Sequence, residues 1–220
     1  MKQFSRWSGI AHSVLSQHSP KIKLGQVHQL IAACLGHRTY ASLRDKDLAV
    51  LDERPAYVLF DVEAGLRRSI DLDLALTEAQ WHEATMALRP SGITPFWLTS
   101  MQGMHGAARL TFEDSGDDRI EAIKREIGFP DGHWVKSSRN HVAEDQLPEL
   151  LRFDVDGEIQ AYTDDSSLAV PVKVVVEFPK LGRRIYGKGT LVSVEKCGDA
   201  RPSDREDALD GGDFYWMSED

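Results

Sequence analysis

The sequence is poor in cysteine and has no long apolar run, and each absence excludes a class of protein. Only 2 of its 220 residues are cysteines, so a disulfide-stabilised secreted scaffold is not expected. No stretch of about 18 apolar residues is present, so the sequence predicts no membrane-spanning helix. Polar residues interrupt the N-terminal segment, which is not typical of a secretory signal. We therefore expect a cytoplasmic protein.

The sequence also lacks the short motifs that carry common catalytic chemistry. It contains no Gly-x-Ser-x-Gly, His-Glu-x-x-His, Cys-x-x-Cys or Gly-x-Gly-x-x-Gly pattern. Gly182 to Lys188 has the glycine and lysine spacing of a phosphate loop, but Gly189 stands where Ser or Thr would bind magnesium. Cys34 lies on the apolar face of a predicted helix, where thiols are usually inert. We therefore predict no catalytic residue, no metal site and no cofactor.

What is present is the composition of an ordinary globular protein, with 41% hydrophobic and 28% charged residues. The order of helical and strand-like patterns predicts an α+β fold. Its predicted parts are an N-terminal helical module (1–50), a mixed α/β middle (54–148), a C-terminal antiparallel β meander (149–196) and an acidic, flexible tail (197–220).

The first fifty residues predict three helices. Apolar residues at spacings of three and four from Phe4 to His18 predict the first, which Pro20 ends. The second begins near Leu24, and Gly36 ends it. Thr39 is a suitable N-cap for a short third helix.

The middle of the chain mixes both element types. Thr77 and Gln80 form a capping box that predicts a helix, and Asp117 or Asp118 caps another. Gly103 to Gly106 predicts a flexible loop. Segments rich in β-forming residues predict strands at 56–60, 93–98 and 107–112.

The region after residue 149 predicts antiparallel strands. Asp156-Gly157 is typical of a two-residue hairpin. Apolar residues alternate from Val172 to Phe178, which predicts a half-buried strand. A turn is expected at Pro179–Gly182, followed by a return strand from residue 184 to residue 195.

Residues 23–43 carry a recognisable pattern. A helix rich in small residues is followed by Leu35-Gly36, an aromatic residue (Tyr40) four positions after the glycine, and Leu43 three positions later. This pattern resembles a short helical module of uncharacterised bacterial proteins, some from mobile elements and others related to the glyoxalase superfamily. The resemblance implies a bacterial, mobile-element origin, and it implies no catalytic residue.

The same segment could also be a helix-turn-helix that reads DNA, because it is basic and a short helix follows Gly36. That motif places an apolar residue six positions after the turn glycine and a second one nine positions after it. Ser42 and Asp45 occupy those two positions. The segment therefore fits the DNA-reading motif poorly.

Charge is segregated along the chain. The net charge is −9, but residues 1–50 carry +5 and residues 197–220 carry −6. Arginine forks suit phosphate or carboxylate groups, and the acidic tail encloses an aromatic cluster that could dock on a basic surface. The predicted binding residues are Lys180, Arg183, Arg184, Lys188, Arg38 and Arg44, together with Phe214, Tyr215 and Trp216 of the tail.

Three functions remain open. We favour a non-enzymatic bacterial protein that binds another protein and has a regulatory, defence or counter-defence role. The alternative is a nucleic-acid-binding protein that uses the basic N-terminal helices and the Lys180–Lys188 hairpin. A second alternative is an enzyme with a site near His105, His133 and His141. The sequence does not determine the oligomeric state.

Overall fold

The protein has the predicted α+β fold, in which most helices precede an antiparallel β region. A computed structural model describes residues 2–53, 55–88, 96–98, 101–127, 147–162 and 167–202. Contacts between residues divide the chain into two compact units. The first unit contains residues 1–107, 141–151 and 177–189, and the second contains residues 108–140, 152–176 and 190–220.

The described residues form eight helices and seven strands. The helices are α1 (Gln3–His18), α2 (Leu24–Cys34), α3 (Tyr40–Lys46), α4 (Leu48–Asp52), α5 (Val62–Asp71), α6 (Glu78–Leu88), α7 (Met101–Glu113) and α8 (Asp118–Glu126). The strands are β1 (Tyr57–Leu59), β2 (Phe96–Leu98), β3 (Leu150–Tyr162), β4 (Ser167–Gly182), β5 (Ile185–Tyr186), β6 (Thr190–Lys196) and β7 (Arg201–Pro202).

The three helices predicted in the first fifty residues are confirmed, and local hydrogen bonds explain the corner between α2 and α3. The amide of Gly36 donates to the Ala33 carbonyl at 2.9 Å, and the amide of His37 donates to the Ala32 carbonyl at 2.8 Å. These two bonds form a complete Schellman motif. Gly36 has φ +78°, a conformation that glycine adopts without strain. Thr39 Oγ1 then accepts from the Ser42 amide and caps α3.

The apolar core of the first unit lies among α1, α2, α5 and α6. Pairs α1–α6 and α2–α5 make the most extensive helix contacts. The sequence pattern does not predict α5, because the buried positions on this helix include Gly65 and Ser69 rather than large apolar residues. Gly65 allows Cys34 and Trp81 to pack directly against the α5 backbone.

A small β region completes the first unit. Strand β1 pairs with β2 in parallel and with β5 in antiparallel orientation. The predicted strand at 56–60 is therefore confirmed. The predicted strand at 93–98 is confirmed over Phe96–Leu98, and residues 93–95 lie outside the described residues. Within the first unit, β2 ends the strand order β2-β1-β5-β4. In the second unit, β6 and β7 pair with β4.

Helix α7 corrects two predictions. The expected strand at 107–112 and the expected loop at Gly103–Gly106 are both wrong, because both segments lie inside α7. Met104, Ala108 and Phe112 are fully buried, and their four-residue spacing places them on one helix face. The two glycines and the β-forming residues of this segment conceal that periodicity. The helices that begin after Thr77 and Asp117 are confirmed with their caps.

The strands of the C-terminal region are longer than predicted. The predicted hairpin at Asp156-Gly157 is wrong, because β3 continues through both residues. Phe153, Val155 and Ile159 are all buried, and an even number of positions separates each from the next, so they lie on one face of the strand. Alternate burial along β4 is confirmed except at Val175, which is buried like its two neighbours. The predicted turn at Pro179–Gly182 is wrong, because β4 continues through these residues. The turn consists of the next two residues, and residues 187–189 divide the expected return strand into β5 and β6.

Candidate functional site

Two of the predicted binding residues form the turn between β4 and β5, and they contact the α2–α3 corner of the same unit. Arg183 Nη1 donates to the Gly36 carbonyl at 2.8 Å. The Arg184 side chain packs over Gly36, about 3.5 Å from where a Cβ atom would stand. A cationic side chain is favourable here because the C-terminal end of α2 carries partial negative charge.

A buried carboxylate fixes this turn. Asp47 Oδ2 accepts from the backbone amide of Arg183 at 2.7 Å and bonds His37 Nε2 at 2.8 Å. His37 Nδ1 lies 3.2 Å from Ser42 Oγ. Gly182 is required beside this carboxylate, because a Cβ atom there would lie 2.9 Å from Asp47 Cγ.

Ser42, His37 and Asp47 are the residue types of a nucleophilic triad, but their burial favours a structural role. The His37 side chain is fully buried, and that of Asp47 is 10% exposed. The Asp47 oxygen that bonds the imidazole is also the acceptor of the Arg183 amide. The cluster therefore joins two segments that are 136 residues apart. Sequence reasoning did not find it, since no local pattern relates His37 and Asp47 to so distant a turn.

Arg184 has a structural role as well. Its Nη2 atom donates to Asp61 Oδ2 at 3.2 Å. The other carboxylate oxygen of Asp61 accepts from the Ala64 amide and caps α5. The Asp61 amide donates to the Cys34 carbonyl at 2.9 Å. Arg184 thus connects the turn to the start of α5 and the end of α2.

The six predicted basic residues fall into two groups. Three have carboxylate partners: Lys180 with Glu149 at 3.3 Å, Arg184 with Asp61 at 3.2 Å, and Arg44 with Asp45 at 3.0 Å. For the other three, Arg38, Arg183 and Lys188, no carboxylate oxygen lies within 4.0 Å among the described residues. All three are exposed.

An apolar patch lies near two of these uncompensated cations along the chain. Leu181 and Leu150 are each 45% exposed, and Pro179 is exposed as well. The Lys180 amide donates to the Glu149 carbonyl at 3.0 Å. In an antiparallel pair this places Leu150 opposite Pro179 and diagonal to Leu181 on the same face.

Gly187 is buried against the patch and connects it along the chain to the second cation. A Cβ atom at Gly187 would lie 2.9 Å from Pro179 Cγ and 3.6 Å from Leu181 Cδ1. Lys188 follows directly along the chain, and Arg183 is two residues beyond Leu181. We call Leu150, Pro179, Leu181, Arg183 and Lys188 the Leu181 surface. Sequence reasoning found its cations but not its leucines, because both leucines lie on predicted strand or turn segments.

The buried histidine cluster predicts a pH-dependent stability. Burial lowers the pKa of His37 below 6.5, and the nearby charges of Arg183 and Lys46 add to this effect, although Asp47 opposes it. Because the unfolded chain binds the proton more tightly, stability falls as the pH drops below about 6.5. We expect the midpoint of urea unfolding to decrease between about pH 7.5 and about pH 5.5, and less steeply in His37→Gln. His28, whose pKa is also lowered by burial, accounts for the slope that remains; equal slopes in both proteins would contradict this assignment.

The enzyme alternative is not tested by the described residues, because they include only one of its three histidines. His105 lies within α7, whereas His133 and His141 lie outside the described residues. The described residues contain no cluster of three or more His, Cys, Asp or Glu side chains that could hold a metal ion. Cys34 is fully buried, and burial followed by the charge of Asp61 raises the pKa of its thiol well above its ordinary value. This thiol is therefore poorly suited to nucleophilic chemistry.

The remaining predictions concern the tail and the membrane. Phe214, Tyr215 and Trp216 lie outside the described residues, so docking of the aromatic cluster stays a prediction. Within the described ranges, no helix combines the length and the apolar character needed to cross a bilayer. No protein-family model, no curated protein and no solved structure matches this chain.

Proposed function

We propose that this chain is a non-enzymatic, cytoplasmic bacterial protein that binds another protein through the Leu181 surface. Its bacterial origin and a regulatory, defence or counter-defence role rest on the resemblance of residues 23–43 to mobile-element modules. The proposal of protein binding rests on the chemistry of the surface itself.

The observation that carries the proposal is the fixed position of Arg183 two residues after exposed Leu181. Its backbone amide is bonded to buried Asp47, and its guanidinium is bonded to the Gly36 carbonyl. An arginine that is already ordered loses little side-chain entropy on binding. Protein interfaces typically combine such arginines with an apolar centre, and Leu181 with Leu150 supplies that centre.

We expect Leu181→Gln to weaken capture of the partner about tenfold, because an apolar anchor is lost from the centre of the surface. Leu110→Gln is the matched control, since Leu110 is 47% exposed on α7 and Leu181 is 45% exposed. Wild type and each variant are purified, added to a lysate of the source cells and cross-linked to the proteins that they bind. The cross-linked proteins are then quantified by mass spectrometry. Equal capture by wild type, Leu181→Gln and Leu110→Gln would refute the proposal.

Nucleic-acid binding is the second candidate, and the three uncompensated cations favour it. A protein that neutralises several phosphates loses affinity steeply as salt rises. Binding of an oligonucleotide with that salt dependence, lost in Arg38→Gln and Arg183→Gln, would favour this candidate. Capture that disappears after nuclease treatment would favour it as well.

A further inference from the structure

We propose that the Leu181 surface binds an acidic, extended segment of the partner, in which two apolar residues stand two positions apart and carboxylates precede and follow them along the chain. This inference rests on the proposed protein-binding function and adds the chemistry of the partner. It follows from the charges of Arg183 and Lys188 and from the exposed leucines of the same surface.

Three cationic side chains are available to a carboxylate of the partner. Arg183 uses Nη1 for the Gly36 carbonyl, and its other guanidinium donors make no further bond to a described residue. A guanidinium fixed in this way presents its remaining N–H groups as a preformed fork, which matches a carboxylate. Lys188 presents a second uncompensated charge beyond Gly187, and Arg38 presents a third beside the Gly36 corner.

The two exposed leucines are spaced to contact an extended segment. Leu150 and Leu181 are diagonal neighbours, whose Cα atoms in an antiparallel pair are typically about 7–8 Å apart. Side chains on one face of an extended segment repeat about every 6.6–6.8 Å. An extended segment can therefore place apolar side chains two positions apart near the two leucines. Carboxylates before and after that pair are then available to Arg183 and Lys188.

A short acidic peptide fits this surface better than a nucleic acid. A phosphate chain needs a continuous row of cations, but Lys180, Arg184 and Arg44 are already neutralised by carboxylates. The leucines, finally, provide binding energy only to a ligand with apolar groups of its own.

Fluorescence anisotropy with the full chain tests this inference. The probe is the fluorescein-labelled peptide Glu-Glu-Leu-Ser-Leu-Glu-Glu, called the Glu-Glu-Leu peptide, whose two leucines share one face of an extended segment. It is compared with a peptide that has glutamine in place of glutamate (Gln-Gln-Leu), with one that has glycine in place of leucine (Glu-Glu-Gly), and with an oligodeoxythymidylate of equal net charge. We expect the Glu-Glu-Leu peptide to bind at least about tenfold more tightly than the other three probes. Arg183→Gln and Lys188→Gln should each weaken its binding about fivefold. Arg44→Gln should change it less than about twofold, because Arg44 is paired with Asp45.

Each outcome decides the inference. Tighter binding of the oligodeoxythymidylate would replace it with nucleic-acid recognition. Equal binding of the Glu-Glu-Gly peptide would remove the role of the leucines, and no measurable peptide binding would overturn it altogether. Lys188→Gln remains informative if Arg183→Gln destabilises the fold, since no hydrogen bond or ion pair of the Lys188 side chain occurs among the described residues. If no peptide binds while Leu181→Gln alone abolishes partner capture, the inference fails and the proposed function stands.

Discussion

Replacing Asp47 with alanine is expected to lower the free energy of unfolding by about 3 kcal/mol, because two hydrogen bonds of a buried carboxylate are lost together. The Arg183 amide and His37 Nε2 both bond Asp47 Oδ2. Without that oxygen the imidazole of His37 remains buried without its partner, and Arg183 is no longer fixed beside Gly36. Urea unfolding of the wild type and the variant, followed by circular dichroism, gives the difference.

Asp47→Asn separates the hydrogen bonds from the charge. The amide oxygen of asparagine can accept from both donors, so we expect a loss of only about 1 kcal/mol. A loss in Asp47→Asn as large as that in Asp47→Ala would show that the charge, rather than the hydrogen bonds, stabilises the cluster. A negligible loss in Asp47→Ala would contradict the structural role of the cluster.

The Gly65→Ala variant is expected to be destabilised by about 2 kcal/mol, although alanine is the better helix former. A Cβ atom at this position would lie 2.5 Å from Cys34 Sγ and 2.5 Å from Trp81 Cζ2. Trp81 is almost fully buried, and its Nε1 atom donates to the Val62 carbonyl at 2.8 Å. It cannot move aside without loss of that bond. Thermal and urea unfolding of the variant measure the effect.

Gly9→Ala provides the matched control. Gly9 lies inside α1, and a Cβ atom there would meet nothing within 4 Å. The same substitution should therefore stabilise the protein by about 0.5–1 kcal/mol. Destabilisation by both variants would indicate that helix geometry, rather than the contact of α5 with Cys34 and Trp81, explains the loss at Gly65.

Helix ends were predictable from the sequence, because the groups that form them are neighbours along the chain. Gly36 and Thr39 mark the end of α2 and the start of α3 through bonds that span a few residues. The capping box of Thr77 and Gln80 is equally local, with both reciprocal bonds present. Helix α5 escaped prediction because it packs through Gly65 and Ser69, which carry no apolar signal.

The errors in strand and loop assignment have a common physical cause. Asp156-Gly157 has the residues of a hairpin turn, and Gly103 to Gly106 has those of a loop. In each case the flanking apolar residues are buried at a regular spacing. That burial makes the first segment part of a strand and the second part of a helix. Local turn preference is worth less free energy than the burial of several large side chains.

The sequence by itself determined the α+β class, the three N-terminal helices and the set of basic residues available for binding. Only the tertiary structure decided which of those residues remain available. Arg184 and Lys180 form ion pairs with carboxylates of the same unit. Arg183 is positioned by Asp47 through its backbone amide, and its guanidinium keeps an uncompensated charge. The physical reason is that a hydrogen bond between residues 136 positions apart depends on the packing of the whole unit, which no local pattern encodes.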